Sequence, residues 1–175
     1  MLAFFVMLSS LAKAQFVSAE LQVSGLTCSM CSKATEKSLR TLDFIQDIST
    51  NMDQATYTLT FKPGKDVSMD KIAEKVKDAG FSVNKLVAYF NFNEMKVSND
   101  YHFSYQQNIY HFIEPGNKVL NGKTALTFID RGFIPQKQYS KYASEIKFEC
   151  YKSGHLEKCC TVNASEKTRI YHVTI

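Results

Sequence analysis

The chain lacks tryptophan, has only 7 glycines and 3 prolines among its 175 residues, and carries no basic tract. Scarce glycine and proline exclude collagen-like, mucin-like and long linker segments. Charge of one sign is also missing: 21 Lys and Arg face 17 Asp and Glu, interspersed, and the resulting +4 is too mild to point to nucleic acid. Apart from residues 1–8 no long apolar run exists, which argues against a polytopic membrane protein, and 45% apolar with 22% charged positions is the ordinary balance of a globular chain. No Ser-His-Asp order, phosphate loop or paired-carboxylate constellation stands out, so the chain reads as a binding protein and not an enzyme. What it does have is 5 cysteines.

The apolar start, MLAFFVML, is followed by Ser9 and Ser10 and then by Ala12-Lys13-Ala14, small residues at minus three and minus one. This predicts a signal peptide over residues 1–14 with cleavage before Gln15, although no Lys or Arg precedes the apolar run. A membrane span needs roughly 20 apolar helical residues, and this stretch is shorter. Export, periplasmic or otherwise, implies an oxidising compartment in which thiols pair.

From Gln15 the order of elements is legible. Val17, Ala19, Leu21 and Val23 alternate as a half-buried strand ending at Gly25. A helix from Cys31 places Ala34, Ser38, Leu39 and Leu42 on one side and Lys33, Glu36, Lys37 and Arg40 on the other. Ile45 and Ile48 open a second strand, and Ala55, Tyr57, Leu59 and Phe61 form a third, closed by Pro63-Gly64. Ser68 is the N-cap of a second helix through Met69, Ile72, Val76 and Ala79, ended by Gly80, and Phe81, Val83 and Leu86 start a fourth strand. Strand, helix, strand, strand, helix, strand is a ferredoxin-like βαββαβ domain, expected over residues 15–92. From residue 93 the texture changes, with 12 of the 22 aromatics. Short strands are expected at 101–105, 109–113, 124–130, 146–151, 156–162 and 169–175, with Asn121-Gly122 and Ser153-Gly154 as turns and one short helix within 135–142. The fold class is therefore α+β: the ferredoxin-like domain, then a small mostly-β domain over 93–175, barrel or OB-like.

The motif that carries chemistry is Gly25-Leu26-Thr27-Cys28-Ser29-Met30-Cys31. It sets Cys28 in a loop and Cys31 in the first turn of a helix, where amide groups and the dipole favour thiolate over thiol. Two thiolates without carboxylate or imidazole neighbours suit a linear soft ion such as Cu(I), and suit Zn(II) less because it wants four ligands. Cys-x-x-Cys spacing also serves redox pairs and structural disulfides. Here it opens the first helix of a βαββαβ pattern, in a chain without tryptophan or a thioredoxin-type proline loop, which favours the metal reading. Met30 between the cysteines is expected to face solvent.

On these residues, with Leu39, Leu42, Ile45 and Ala79-Gly80-Phe81, the segment 16–88 resembles the heavy-metal-associated domain of copper chaperones, copper-ATPase tails and the periplasmic mercury-binding protein. The resemblance implies Cys28 and Cys31 as metal ligands, Phe81 packed beside them, Cu(I) or alternatively Hg(II) as the cargo, and a protein partner in metal transport or efflux. Leu26 and Thr35 stand where the family usually has Met and an aliphatic residue.

Cys150, Cys159 and Cys160 lie around an expected hairpin turning at Ser153-Gly154. Its register puts Cys150 and Cys159 on one face and Cys160 on the other. Three readings stay open: a Cys150–Cys159 disulfide, a second soft-metal site using these thiols with His172 or His155, or simple burial. His102 and His111, in aromatic strands, are expected to be satisfied core or surface histidines and are assigned no role.

Overall fold

The computed structural model describes residues 15–175 except 159, 161, 163 and 166. The expected signal segment, 1–14, lies outside the described residues, as does Cys159. Strand β1 (Gln15–Ser24) leads through the cysteine loop into helix α1 (Ser29–Leu39), then β2 (Ile45–Asn51), β3 (Thr56–Phe61), α2 (Met69–Asp78) and β4 (Ser82–Val97). These four strands lie in the order β2-β3-β1-β4, all neighbours antiparallel, which is the ferredoxin-like arrangement expected.

Helix α2 forms as its sequence dictates: Ser68 caps it by accepting from the Lys71 amide, and Met69, Ile72 and Val76 are buried at helical spacing. The buried face of α1 is Ser32, Thr35, Leu39 and the following Leu42, with Ala34 exposed, so it is rotated from the face expected. Two hydroxyl residues on this face hid it from hydropathy, and both are satisfied internally. Thr35 Oγ1 donates to the Cys31 carbonyl at 3.1 Å, Ser32 Oγ lies 3.0 Å from the Tyr57 hydroxyl, and that hydroxyl donates to the Ser32 carbonyl at 3.1 Å. A register shift in β1 between Phe16 and Ser18 turns Val17 outward, 41% exposed, and seats Phe16 in the core against Phe90 in its place.

The second half departs from a barrel. Strand β4 runs 16 residues, through the expected domain boundary at 92–93. It pairs with β7 (Lys118–Phe128), and β5 (His102–Tyr105), β6 (Asn108–Phe112) and β8 (Ile170–Thr174) complete one open eight-stranded sheet, β2-β3-β1-β4-β7-β8-β6-β5. The sheet curls without closing. Tyr105 of β5 reaches β1, where its hydroxyl accepts from the Phe16 amide at 3.2 Å and its ring meets that of Phe16 at 5.7 Å. Gln106 ties the β5–β6 turn to the loop before α2 by donating to the Lys65 carbonyl and accepting from the Val67 amide.

Two glycine dipeptides act otherwise than as hairpin turns. Asn121-Gly122 lies inside β7, where Gly122 (φ +68°) faces a register shift in β4 between Phe92 and Met95. Gly154 (φ +71°) is the left-handed C-cap of a short helix α4 (Glu149–Ser153), preceded by α3 (Gln136–Glu145). The strand expected at 146–151 is therefore a short link at 146–148 followed by the start of α4, and among the described residues of 156–162 there is no strand.

Helices α3 and α4 decide the layering. Tyr110, Phe112, Tyr171 and Val173 join the main core shared with α1 and α2. Their alternate neighbours Ile109, Ile113 and Ile170 turn to the opposite face and pack with Cys150, Tyr139 and Tyr151 of α3 and α4. Strands β6 and β8, parallel to one another, are thus covered on both sides and carry unbroken buried runs.

Candidate functional site

Strand β1 ends at Ser24, Gly25 turns the chain at φ +88°, and α1 begins at Ser29 with Cys28 as its N-cap in extended conformation. The Cys28 sulfur accepts from the Cys31 amide at 3.3 Å, taking the position a Ser or Asp side chain usually fills. Cys28 is exposed and Cys31 half-buried. The Cys31 thiol and the Cys31 amide, both donating to Cys28, lower Cys28 from the ordinary thiol range, while the proton shared with Cys28 raises Cys31. Cys28 is therefore the more acidic of the two thiols, and it stands exposed at the start of α1. Phe81 stands against this loop: a Cβ at Gly25 would lie 3.6 Å from its Cδ1. Leu26 packs on the core, and Met30 is 78% exposed and points away from any shared ligand set.

The distal cysteines and histidines come together in a way their sequence spacing does not announce. His102 pairs across the ladder with His111, and His111 with His172, so the three imidazoles form a row over β5, β6 and β8 on the face covered by α4. The His102 and His111 rings stack at 4.0 Å, and His111 and His172 are 5.2 Å apart. Cys150 of α4 lies over them, its sulfur 3.4 Å from His172 Nε2, and the Cys160 thiol donates to Cys150 at 3.4 Å. Asp130 accepts from the His172 amide at 2.7 Å and meets its Nδ1 at 2.8 Å. With the carboxylate on Nδ1, it is Nε2 of His172 that faces the sulfur.

His111 is fully buried, and among the described residues neither of its ring nitrogens, nor Nε2 of His102, has a hydrogen-bond partner. The Asp100 carboxylate, 3.6 Å from His111 Nε2, is beyond hydrogen-bond reach. Each such buried polar group costs about 1–3 kcal/mol. Burial first, then the neighbouring His102 and His172, push His111 down to about 3, and burial lowers His102 as well. Neither is the satisfied histidine expected. His155, the alternative partner named from the sequence, is exposed and bonded to Ser153. The Cys150–Cys159 pairing falls on a residue outside the described ones.

The sequence profile of the heavy-metal-associated domain matches residues 20–82. The copper chaperone CopZ of Bacillus subtilis (strain 168) is 35% identical over 65 residues, 37% of this chain and 93% of the chaperone. Copper-transporting ATPase 1 of Rhizobium meliloti (strain 1021) is 38% identical over 69 residues, 39% of this chain but only 8% of the ATPase. Among solved structures, a copper-binding domain of HMA7, a P-type ATPase, aligns at 28% identity over 39% of this chain and 90% of that domain, with a TM-score of 0.36.

Proposed function

Since the chain belongs to the heavy-metal-associated domain family through residues 20–82, we propose that it takes up Cu(I) between Cys28 and Cys31 and hands it to a protein partner in metal transport. The observation that carries this reading is the exposed pair at the start of α1, with Cys28 lowered and Cys31 supplying the adjacent second sulfur. Two soft donors and no carboxylate or imidazole in the loop favour Cu(I) over Zn(II). The copper named for both curated relatives supports the same cargo over Hg(II), which two thiolates would also hold.

Transfer needs no catalysis. A partner thiolate forms a third bond to the ion, one bond to Cys28 or Cys31 then breaks, a second partner thiolate displaces the remaining cysteine in the same way, and the ion leaves without entering water. Phe81 beside the loop shields one side of the ion during this exchange. We further infer export, from the apolar residues 1–8 and Ala12-Lys13-Ala14. No described helix is long and apolar enough to cross a membrane.

Cu(I) titration against a competing chelator, repeated with Hg(II) and Zn(II), tests the cargo. Full-length protein is expected to bind one tight Cu(I) equivalent fewer in Cys28→Ser/Cys31→Ser than in the wild type. Unchanged Cu(I) stoichiometry in that variant would overturn the assignment, and insulin reduction by the wild type would replace it with a thiol-disulfide exchange role. N-terminal sequencing of protein recovered from the producing cell tests the cut before Gln15.

A further inference from the structure

On the sheet face opposite α1 and α2, five potential ligands converge beneath α4. We propose that this cluster is a second metal site, for a copper or zinc ion bound by imidazole nitrogen and thiolate, with His111, His172 and Cys150 as its central ligands. Cys160 and His102 stand beside them as the donors that complete the coordination.

The geometry argues for this from several directions. One ligand atom each from His111, Cys150 and His172 lies within 4.8 Å of the other two, and the same holds for His102, His111 and Cys160. The two trios share His111, the fully buried residue whose ring nitrogens have no hydrogen-bond partner among the described residues. A packed core does not leave an imidazole in that state without cause, and an ion bound there satisfies it. Ladder register, not a flexible loop, sets the three histidines in a row, so the donors are held before an ion arrives. Asp130 on Nδ1 of His172 is the outer carboxylate that orients a metal-binding imidazole and aims Nε2 inward.

The donor set also selects the ion. Imidazole and thiolate suit copper and zinc, whereas calcium and magnesium want oxygen, and Asp130 is already occupied by His172. Binding converts the Cys150 thiol to thiolate: the S–H bond breaks, a sulfur–metal bond forms, and the proton goes to solvent. The imidazoles enter as neutral donors. A cleft of about 330 Å³ lined by Asp100, Tyr142, Glu145 and Phe148 offers the approach, with the Phe148 ring 4.9 Å from that of His111 and Asp100 3.6 Å from its Nε2.

The test uses reduced full-length Cys28→Ser/Cys31→Ser protein, in which the first pair cannot contribute thiolate. Titration with Co(II), as a coloured stand-in for zinc, and separately with chelator-buffered Cu(I), is expected to load one equivalent of metal. The cobalt form should show sulfur-to-metal charge transfer, and metal should raise the melting temperature. Cys150→Ser and His111→Asn, each added to that background, are expected to weaken binding at least tenfold, whereas His155→Ala leaves it unchanged. Binding of no metal by the double variant overturns the proposal, as does binding that survives both cluster substitutions. Should those substitutions fail to fold, X-ray absorption on the metal-loaded double variant decides: a mixed nitrogen and sulfur shell upholds the site, and a shell without sulfur overturns it. Failure of the Cys28–Cys31 reading appears separately, as a wild type that binds no more Cu(I) than the double variant.

Discussion

Cys28, exposed at the N-cap of α1, and Cys31, half-buried in its first turn, stand three residues apart; His102, His111, Cys150, Cys160 and His172 come from three strands, a helix and the segment after it, most of them buried. The first group takes its chemistry from local structure, since the Cys31 thiol first and the Cys31 amide second, both three residues away, lower Cys28. The second depends on sheet register and on the packing of α4. If both proposals hold, an accessible pair can exchange ligands with a partner whereas a buried cluster can only hold what it admits, so the two regions would suit transfer and retention respectively.

The broadest way to break this contrast is Cys28→Ser/Cys31→Ser, expected to abolish tight Cu(I) binding at the loop while leaving the melting temperature nearly unchanged, because serine is itself a good N-cap. A large melting shift would show that the loop is structural. The next effect concerns what joins the regions. Phe90 is fully buried and stacks or edges against Phe16, Phe92, Phe103, Tyr105 and Tyr110, residues from both halves of the sheet. Phe90→Ala should cost about 3–5 kcal/mol in urea unfolding, within a single transition for the whole chain. Two separated transitions would mean that the halves are energetically independent.

Asp130→Ala removes the buried acceptor of both the His172 amide and Nδ1 and should cost about 2–4 kcal/mol, measured the same way. Smaller again is Asp70→Ala, which breaks the contact between the start of α2 and β8 made by Arg169 at 2.9 Å and the Tyr171 hydroxyl at 2.9 Å. Asp70 is about half exposed, so about 1 kcal/mol is expected, and less in high salt.

The last effect leaves stability alone. Because Cys28 is lowered and Cys31 raised, ultraviolet thiolate absorbance of the metal-free protein should appear first from Cys28 as pH rises, and alkylation near neutrality should mark Cys28 before Cys31. Cys31→Ala removes the principal donor and should move the Cys28 titration upward. Equal alkylation of the two thiols would contradict the shared-proton geometry. Metal binding displaces protons, so affinity at this pair should fall as pH falls.

Legibility followed the range of the interactions. Ser68 announced α2, the alternation of Tyr57, Leu59 and Phe61 announced β3, and Gly25 to Cys31 announced the loop that leads into α1, because capping, strand period and turn chemistry are contacts within a few residues. Gly154 was legible as a breaker but not as which kind. The left-handed conformation it supplies ends a helix as well as it turns a hairpin, and the packing of Cys150 and Tyr151 on β8 and its neighbours chose the helix. Thr35 and Ser32 misplaced the face of α1 because a hydroxyl reads as polar until its partner is known.

By itself the sequence determined the βαββαβ order, the Ser68 cap of α2 and the Cys-x-x-Cys spacing of Cys28 and Cys31, each read from residues close together in the chain. Only the tertiary structure decided that β4 continues past 92, that the sheet stays open, and that His102, His111 and His172 share a row beneath Cys150. The parallel pairing of β6 with β8 joins positions about sixty residues apart, and nothing local distinguishes a histidine that will face a thiol from one that will face water. Strand pairing and the docking of α4 over the β6–β8 face draw that distinction, by burying the imidazoles with few protein partners of their own.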